Sequence, residues 1–239
     1  MKKLILFMFS VLSFYSCEKR SGKINSDGFL LIGTIENISN NKKVYLKTQE
    51  NGVLTILDST IIINGKFEFK GNIDKPMIYG IYLDSLNDAI GVFIENKTIT
   101  IEAYKDSLAS SKISGSKTND DYLDFVKQSN IIISKMNFLF PEFQKARAEN
   151  NVKKLEDINN KMQAINDENT IFTLKYAKQH PDSYIGAMAL QSVISIPSIH
   201  RDTIAKIYNN FSEYVKKGDF AIKTKLFLEN SIKQDSIQN

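Results

Sequence analysis

Between Phe29 and Tyr104 apolar residues recur at every second position in short runs. Beyond Asn119 they recur every three or four positions, so the chain changes its period once, from strand to helix. Phe29–Ile35 reads as a strand around Gly33, and Asn37–Asn41 as a turn rich in Asn and Ser. Lys43–Gln49 alternates, with Val44, Leu46 and Thr48 on one face, and Asn51-Gly52 turns the chain into Val53–Leu57. Ile61-Ile62-Ile63 is a continuous apolar run, expected either to be covered on both faces or to twist near the next turn. That turn is Asn64-Gly65. Both central positions of a type I′ turn need φ > 0, and Asn and Gly supply it, so Leu54–Gly71 predicts a hairpin with Phe67 and Phe69 on its buried face. Pro76 opens Met77–Leu83 as an edge strand or a strand start, and Ile90–Glu95 is expected to pair with Thr98–Tyr104 across Asn96-Lys97. About seven or eight strands at spacings of about 8–12 residues predict an antiparallel β-sandwich or open barrel, not βαβ units.

The second half predicts four to six helices. Asp120–Phe138 carries Tyr122, Phe125, Val126, Ile132, Ile133 and Met136 at helical steps, with Thr118 or Asn119 as its cap. Pro141 interrupts before Glu142–Ala148. A long helix, Val152–Lys178, ends before Pro181, and Asp182 or Ser183 caps another running to Ile194. Arg201–Lys216 follows with Gly218 as a C-cap, then Ala221–Ile232, and Gln234–Asn239 is expected to fray. The fold class expected is therefore α+β, with a β domain over 29–116 and a helical segment over 117–239.

Several short motifs in order carry a resemblance. They are Phe29-x-x-Ile32-Gly33-x-Ile35-x-Asn37, Val44-Tyr45-Leu46, Leu57-Asp58-Ser59-Thr60, Asn64-Gly65-Lys66-Phe67-x-Phe69-x-Gly71 and Pro76-x-x-Tyr79. Phe93-Ile94-Glu95-Asn96 and Ile113-Ser114-Gly115-Ser116-x-x-Asn119 continue the series. Together they resemble an uncharacterised bacterial domain that stands in front of a thioredoxin-like domain in exported thiol–disulfide interchange lipoproteins. The resemblance covers about residues 29–125 and is looser at His180-Pro181-Asp182-Ser183 and Phe211-Ser212. It implies an envelope location and a redox neighbour. In that family the oxidoreductase cysteines lie in the thioredoxin-like domain, so their activity is not expected of these 239 residues.

Composition sharpens this. The chain has one cysteine, Cys17, hence no intramolecular disulfide, no C-x-x-C pair and no Cys-and-His zinc site. Met1-Lys2-Lys3 and the apolar run Leu4–Tyr15 read as an export signal, because twelve helical residues reach about 18 Å against a hydrocarbon core of about 30 Å. Ser16-Cys17 closes that run as a bacterial lipobox does. Residues 1–16 are thus expected to be a lipoprotein signal peptide, Cys17 the lipidated (palmitate-bearing) residue, and 17–28 a flexible tether. The alternative is an ordinary signal peptide with an incidental cysteine. Multiple acyl chains anchor stably, since each buried CH₂ adds about 0.8 kcal/mol. Glu18 in place of Asp after the cysteine favours the outer membrane. Without Lys2 and Lys3 the net charge falls from +4 to +2 (29 basic against 27 acidic residues), too balanced for a nucleic-acid surface.

Candidate chemistry is sparse. Ser59 has no Gly-x-Ser-x-Gly elbow, and Asp58-Ser59-Thr60 is expected to be a turn, a bulge or a cross-strand hydrogen-bonding feature. His180 and His200 lie on different segments without a His-x-x-x-His partner, and His180 suits a helix end. Asp120, Asp121 and Asp124 complement a helix N-terminus and lack the EF-hand pattern. Gly115-Ser116-Lys117-Thr118 fails the Walker A pattern at Ser111 and Ser116. The expected function is a non-catalytic, lipid-anchored accessory protein binding a partner protein, such as a separate redox or transport protein, or an envelope component. The alternative is a small-molecule or glycan binder using a groove between the two halves. No metal or cofactor is expected.

Overall fold

The computed structural model describes residues 28–50, 52–84 and 88–238. Cys17, the signal segment and the tether up to Asp27 lie outside the described residues. Eight strands come first: β1 (Phe29–Glu36), β2 (Lys43–Glu50), β3 (Val53–Ile61), β4 (Lys66–Gly71), β5 (Met77–Leu83), β6 (Ala89–Ile94), β7 (Thr98–Tyr104) and β8 (Lys112–Ser114). They form two four-stranded sheets, ordered β4-β1-β7-β8 and β3-β2-β5-β6. The alternation read in the sequence is what fills the space between them: Leu31, Val44, Phe69, Ile81, Val92 and Ile99 are all buried there. The two sheets form a sandwich, not a closed barrel.

One ladder departs from antiparallel pairing. β1 and β7 run parallel, with Leu31 beside Ile99 and Gly33 beside Ile101. Parallel neighbours need a long crossover, and the chain supplies one by visiting the opposite sheet between them.

Two short connections also differ from their sequence reading. Asn64 and Gly65 have φ of 51° and 72°, as the turn chemistry demands. Yet only Ile63 and Lys66 pair across them, through two backbone hydrogen bonds of 3.0 Å. Beyond that rung the strands part: β3 stays with β2, and β4 joins β1 in the other sheet. The expected pairing of Ile90–Glu95 with Thr98–Tyr104 does not form either, because β6 pairs with β5 and β7 with β1 and β8. The cause is burial. A flat hairpin would leave both apolar sets on one face, whereas crossing between sheets places Ile90, Val92 and Ile94 opposite Ile99, Ile101 and Ala103 in one core. Of the Ile61–Ile63 run only Ile62 is buried; its two neighbours are exposed. β5 lies inside its sheet, so Pro76 marks a strand start and not an edge.

The helical half contains α1 (Lys117–Ile133), a 3₁₀ turn (Ser134–Phe138), α2 (Phe140–Ala148), α3 (Val152–Gln179), α4 (Tyr184–Val193), α5 (Arg201–Asn209), the four-residue α6 (Glu213–Lys216) and α7 (Asp219–Gln238). Six of these α-helices have nine or more residues, within the expected number. The helix expected over Arg201–Lys216 is broken: Phe211 turns inward, and Ser212 donates its N–H to the Pro181 carbonyl while its hydroxyl caps α6. Gly218 is not a left-handed cap; its carbonyl accepts from the Ile222 N–H and so opens α7. A second apolar core forms among Ile185, Leu190, Ile204 and Val215, and Phe93 joins it from the outer face of β6. No helix among the described residues is long and apolar enough to cross a membrane.

Candidate functional site

The two halves meet at the end of β6. Gly115, with φ 92°, turns the chain from β8 into α1; a Cβ there would lie 2.3 Å from the Thr98 carbonyl oxygen, so only glycine fits. Ser116 then caps α1 by accepting from the Asn119 N–H at 3.2 Å, a role expected of Thr118 or Asn119. Asn119 is free for another task. Its side chain is wholly buried, accepts from the Phe93 N–H at 2.8 Å and donates to the Phe93 carbonyl at 2.7 Å. The amide thus imitates one residue of a neighbouring strand and satisfies the free edge of β6. Asn96 does the same for Ile73, with bonds of 3.1 and 2.8 Å.

Beside this clamp lies an open cleft of about 390 Å³, walled by the β6–β7 turn, the first turn of α1, the α3–α4 loop and Tyr214. Glu95 is its most buried carboxylate. It accepts from the Ser116 hydroxyl at 2.5 Å and the Thr118 hydroxyl at 3.2 Å, with the Lys97 ammonium 3.4 Å away. Asp121 is held by Lys117 at 2.7 Å and by the Ser183 hydroxyl at 3.0 Å, while Ser183 also caps α4. Glu95 and Asp121 are therefore engaged in fixing α1 and α4, the exposed Asp182 is the third carboxylate of the lining, and the exposed ammonium groups of Lys97 and Lys117 form the rim. The Tyr214 ring, itself exposed, meets Tyr184 edge-on at 4.8 Å. An aromatic edge, two cations and polar loops suit a hydrogen-bonding ligand more than an apolar one.

Tyr176 braces the wall from behind. Its ring stacks on His180 at 4.1 Å and its hydroxyl donates to the Asp121 carbonyl at 3.1 Å. Burial, and then the negative charges of Asp121 and Asp124, push its pKa up to about 12. Burial foremost, then the hydrogen bond with Tyr214, raises Tyr184; burial also raises Tyr122.

His180 sits at the C-terminal end of α3, beside the cleft, and His200 is exposed near Asp202. Asp121 is the one acid of its group that lines the cleft; Asp124 accepts from Gln128 instead. Among the described residues no three His, Cys, Asp or Glu side chains converge as a metal site would require. Ser59 is exposed, its N–H bound to the Asp58 carboxylate, just past a register shift that leaves Leu57 as a bulge opposite Leu46 and Lys47. Glu95, Lys97, Tyr184 and Tyr214 come from three separate segments, the β6–β7 turn, the start of α4 and α6, so nothing local in the sequence marks them as one site.

Fold and site together define a β-sandwich with an attached helical segment. Residues 29–122 match the family model described as a domain of unknown function (DUF4369). The match runs six residues past the expected end of the β domain at 116 and so takes in Asn119 and Tyr122, the α1 residues that grip and pack on β6. No curated protein and no solved structure matches the chain.

The raised tyrosines set an alkaline limit. In the unfolded chain tyrosine loses its proton near pH 10, whereas Tyr176 keeps it until about 12, so the folded state binds more protons in that window. Stability is intact below about pH 10 and falls as pH rises through 12. Guanidinium unfolding at stepped pH should trace this loss, and Tyr176→Phe should shrink it; an unchanged profile in Tyr176→Phe contradicts the assignment.

Proposed function

We propose that this chain is a non-catalytic accessory protein of the cell envelope, lipid-anchored through Cys17 at the outer membrane and facing the periplasm, that binds a partner protein or envelope component. Strand β3 carries the reading. It is nine residues long, forms the edge of its sheet, and exposes Val53, Leu54, Ile56, Leu57 and Ile61 by 44–64%. Edge strands are commonly blunted by lysine, proline or shortness; β3 has neither lysine nor proline, only its bulge and Asp58. The opposite edge of the same sheet, β6, is covered by Asn119. An extended segment of a partner fits the uncovered edge as an added strand, with backbone hydrogen bonds supplying affinity and Leu54 and Ile56 the apolar contact. The engaged state of Glu95 and Asp121 supports the non-catalytic part, since both already hold structural donors. The motifs that resemble domains preceding a thioredoxin-like domain make a separate redox protein the partner class to test first, with transport proteins next.

Ile56→Lys places a charge on an exposed strand position and should change stability by no more than about 0.5 kcal/mol. A partner recovered by cross-linking from detergent-solubilised envelopes should be lost in Ile56→Lys. Undiminished recovery removes β3 from the account. Independently, Cys17→Ala should move the protein to the soluble fraction, and continued sedimentation with membranes contradicts the lipid anchor.

The junction cleft favours a second reading, a small-molecule or glycan binder, because both halves of the chain build it and pockets concentrate at such junctions. A ligand present at 100 Kd adds about 2.7 kcal/mol of stability. A thermal-shift screen of mono- and oligosaccharides should find one whose effect Tyr214→Ala abolishes; silence across the set excludes the glycan form of this reading.

A further inference from the structure

A second open cleft, of about 370 Å³, lies between α3 and α5, distinct from both the β3 edge and the junction cleft. Its walls follow helical spacing: Leu174, Lys175 and Lys178 from α3, and Thr203, Lys206 and Ile207 from α5, with Asn210 just beyond. Three lysines therefore line one small concavity, and among the described residues no acidic side chain lines it. This is unlike much of the helical half, where Lys135 pairs with Glu168, Lys154 with Glu142, Lys216 with Glu213 and Lys225 with Glu229. Among the described residues Lys175, Lys178 and Lys206 have no such partner. The floor is different in kind: Ile207 is buried and Leu174 half-buried.

An anion seated there attracts all three positive charges at once, with no neighbouring carboxylate to compete for them. An inorganic anion would leave the apolar floor wet, whereas an alkyl chain laid on it removes that surface from water. We infer that the cleft between α3 and α5 is a binding site for a small amphiphilic anion, its phosphate or carboxylate head held by Lys175, Lys178 and Lys206 and its alkyl chain laid along Leu174 and Ile207. Thr203 and Asn210 add neutral hydrogen-bond donors beside the head. The volume lies at the small end of the range of about 300–1,000 Å³ typical of ligand sites, which fits one short chain. The head group could come from a free fatty acid or alkyl phosphate, or from an anionic membrane lipid.

The test uses the full chain carrying Cys17→Ala, so that no acyl anchor competes, titrated with decyl phosphate below its micelle concentration. Methyl resonances of Leu174 and Ile207 should shift saturably. Replacing all three lysines by Gln should weaken binding at least tenfold, while replacing them by Arg retains it. Raising salt should also weaken it, since exposed charges are screened beyond about 10 Å at 0.1 M. Inorganic phosphate should bind at least tenfold more weakly than decyl phosphate. Competition by vesicles containing phosphatidylglycerol, but not by pure phosphatidylcholine vesicles, assigns the head to a membrane lipid; its absence assigns it to a free amphiphile. Unchanged affinity in the triple Gln variant, equal binding of decyl maltoside, or no saturable shift at all overturns the proposal.

Discussion

One side-chain amide holds the architecture together. Asn119 donates to and accepts from the backbone of Phe93, closing the edge of β6 with the first turn of α1. The Phe93 side chain then points away from the sandwich into the helical core, against Tyr122 and Phe220. A single residue of β6 is thereby fixed by its backbone on one side and by its ring on the other. An unpaired buried amide or carbonyl costs about 1–3 kcal/mol, so the β half and the helical half are each poorer without the other. The same clamp brings Ser116 and Thr118 onto Glu95 and Asp121 toward Ser183, which is how the junction cleft acquires its polar wall.

Much of this was legible in the sequence, and the gaps have physical reasons. Period-two alternation placed Val44, Leu46, Phe67 and Phe69 correctly inside, because alternation reports burial directly. The long helix α3 matched its expected span to within a residue, since Pro181 and the apolar stripe define both its end and its face. Pairing partners were not legible. Asn64-Gly65 dictates a local turn and says nothing of which sheet the next strand joins; that is decided by burying Ile94 opposite Ile99 and Ile62 in the common core. The cap of α1 was misplaced by a few residues for a related reason. Ser, Thr and Asn all cap helices, and only the free edge of β6 reveals that Asn119 has another partner.

The two edges of one sheet divide the labour. β6 is shielded by Asn119 and by aromatic rings, while β3 carries its apolar residues outward along its length. Asp58-Ser59-Thr60, chemically the most suggestive triplet in the chain, belongs to that edge strand as scaffold, paired with Leu46, Tyr45 and Val44 just past the bulge at Leu57. What distinguishes the molecule is accordingly a pair of surfaces, a strand edge with outward apolar residues and a polar cleft at the junction, set on a frame in which Glu95 and Asp121 are already engaged.

The frame itself rests on the clamp, and hydrogen exchange at the Phe93 amide interrogates it most directly. In Asn119→Ala that amide should lose at least about tenfold of its protection, equivalent to about 1.4 kcal/mol, while amides deep in β1 and β7 change only as global stability does. Undiminished protection of the Phe93 amide in Asn119→Ala would show that α1 does not hold the edge of β6, and would contradict this description of how the two halves are joined.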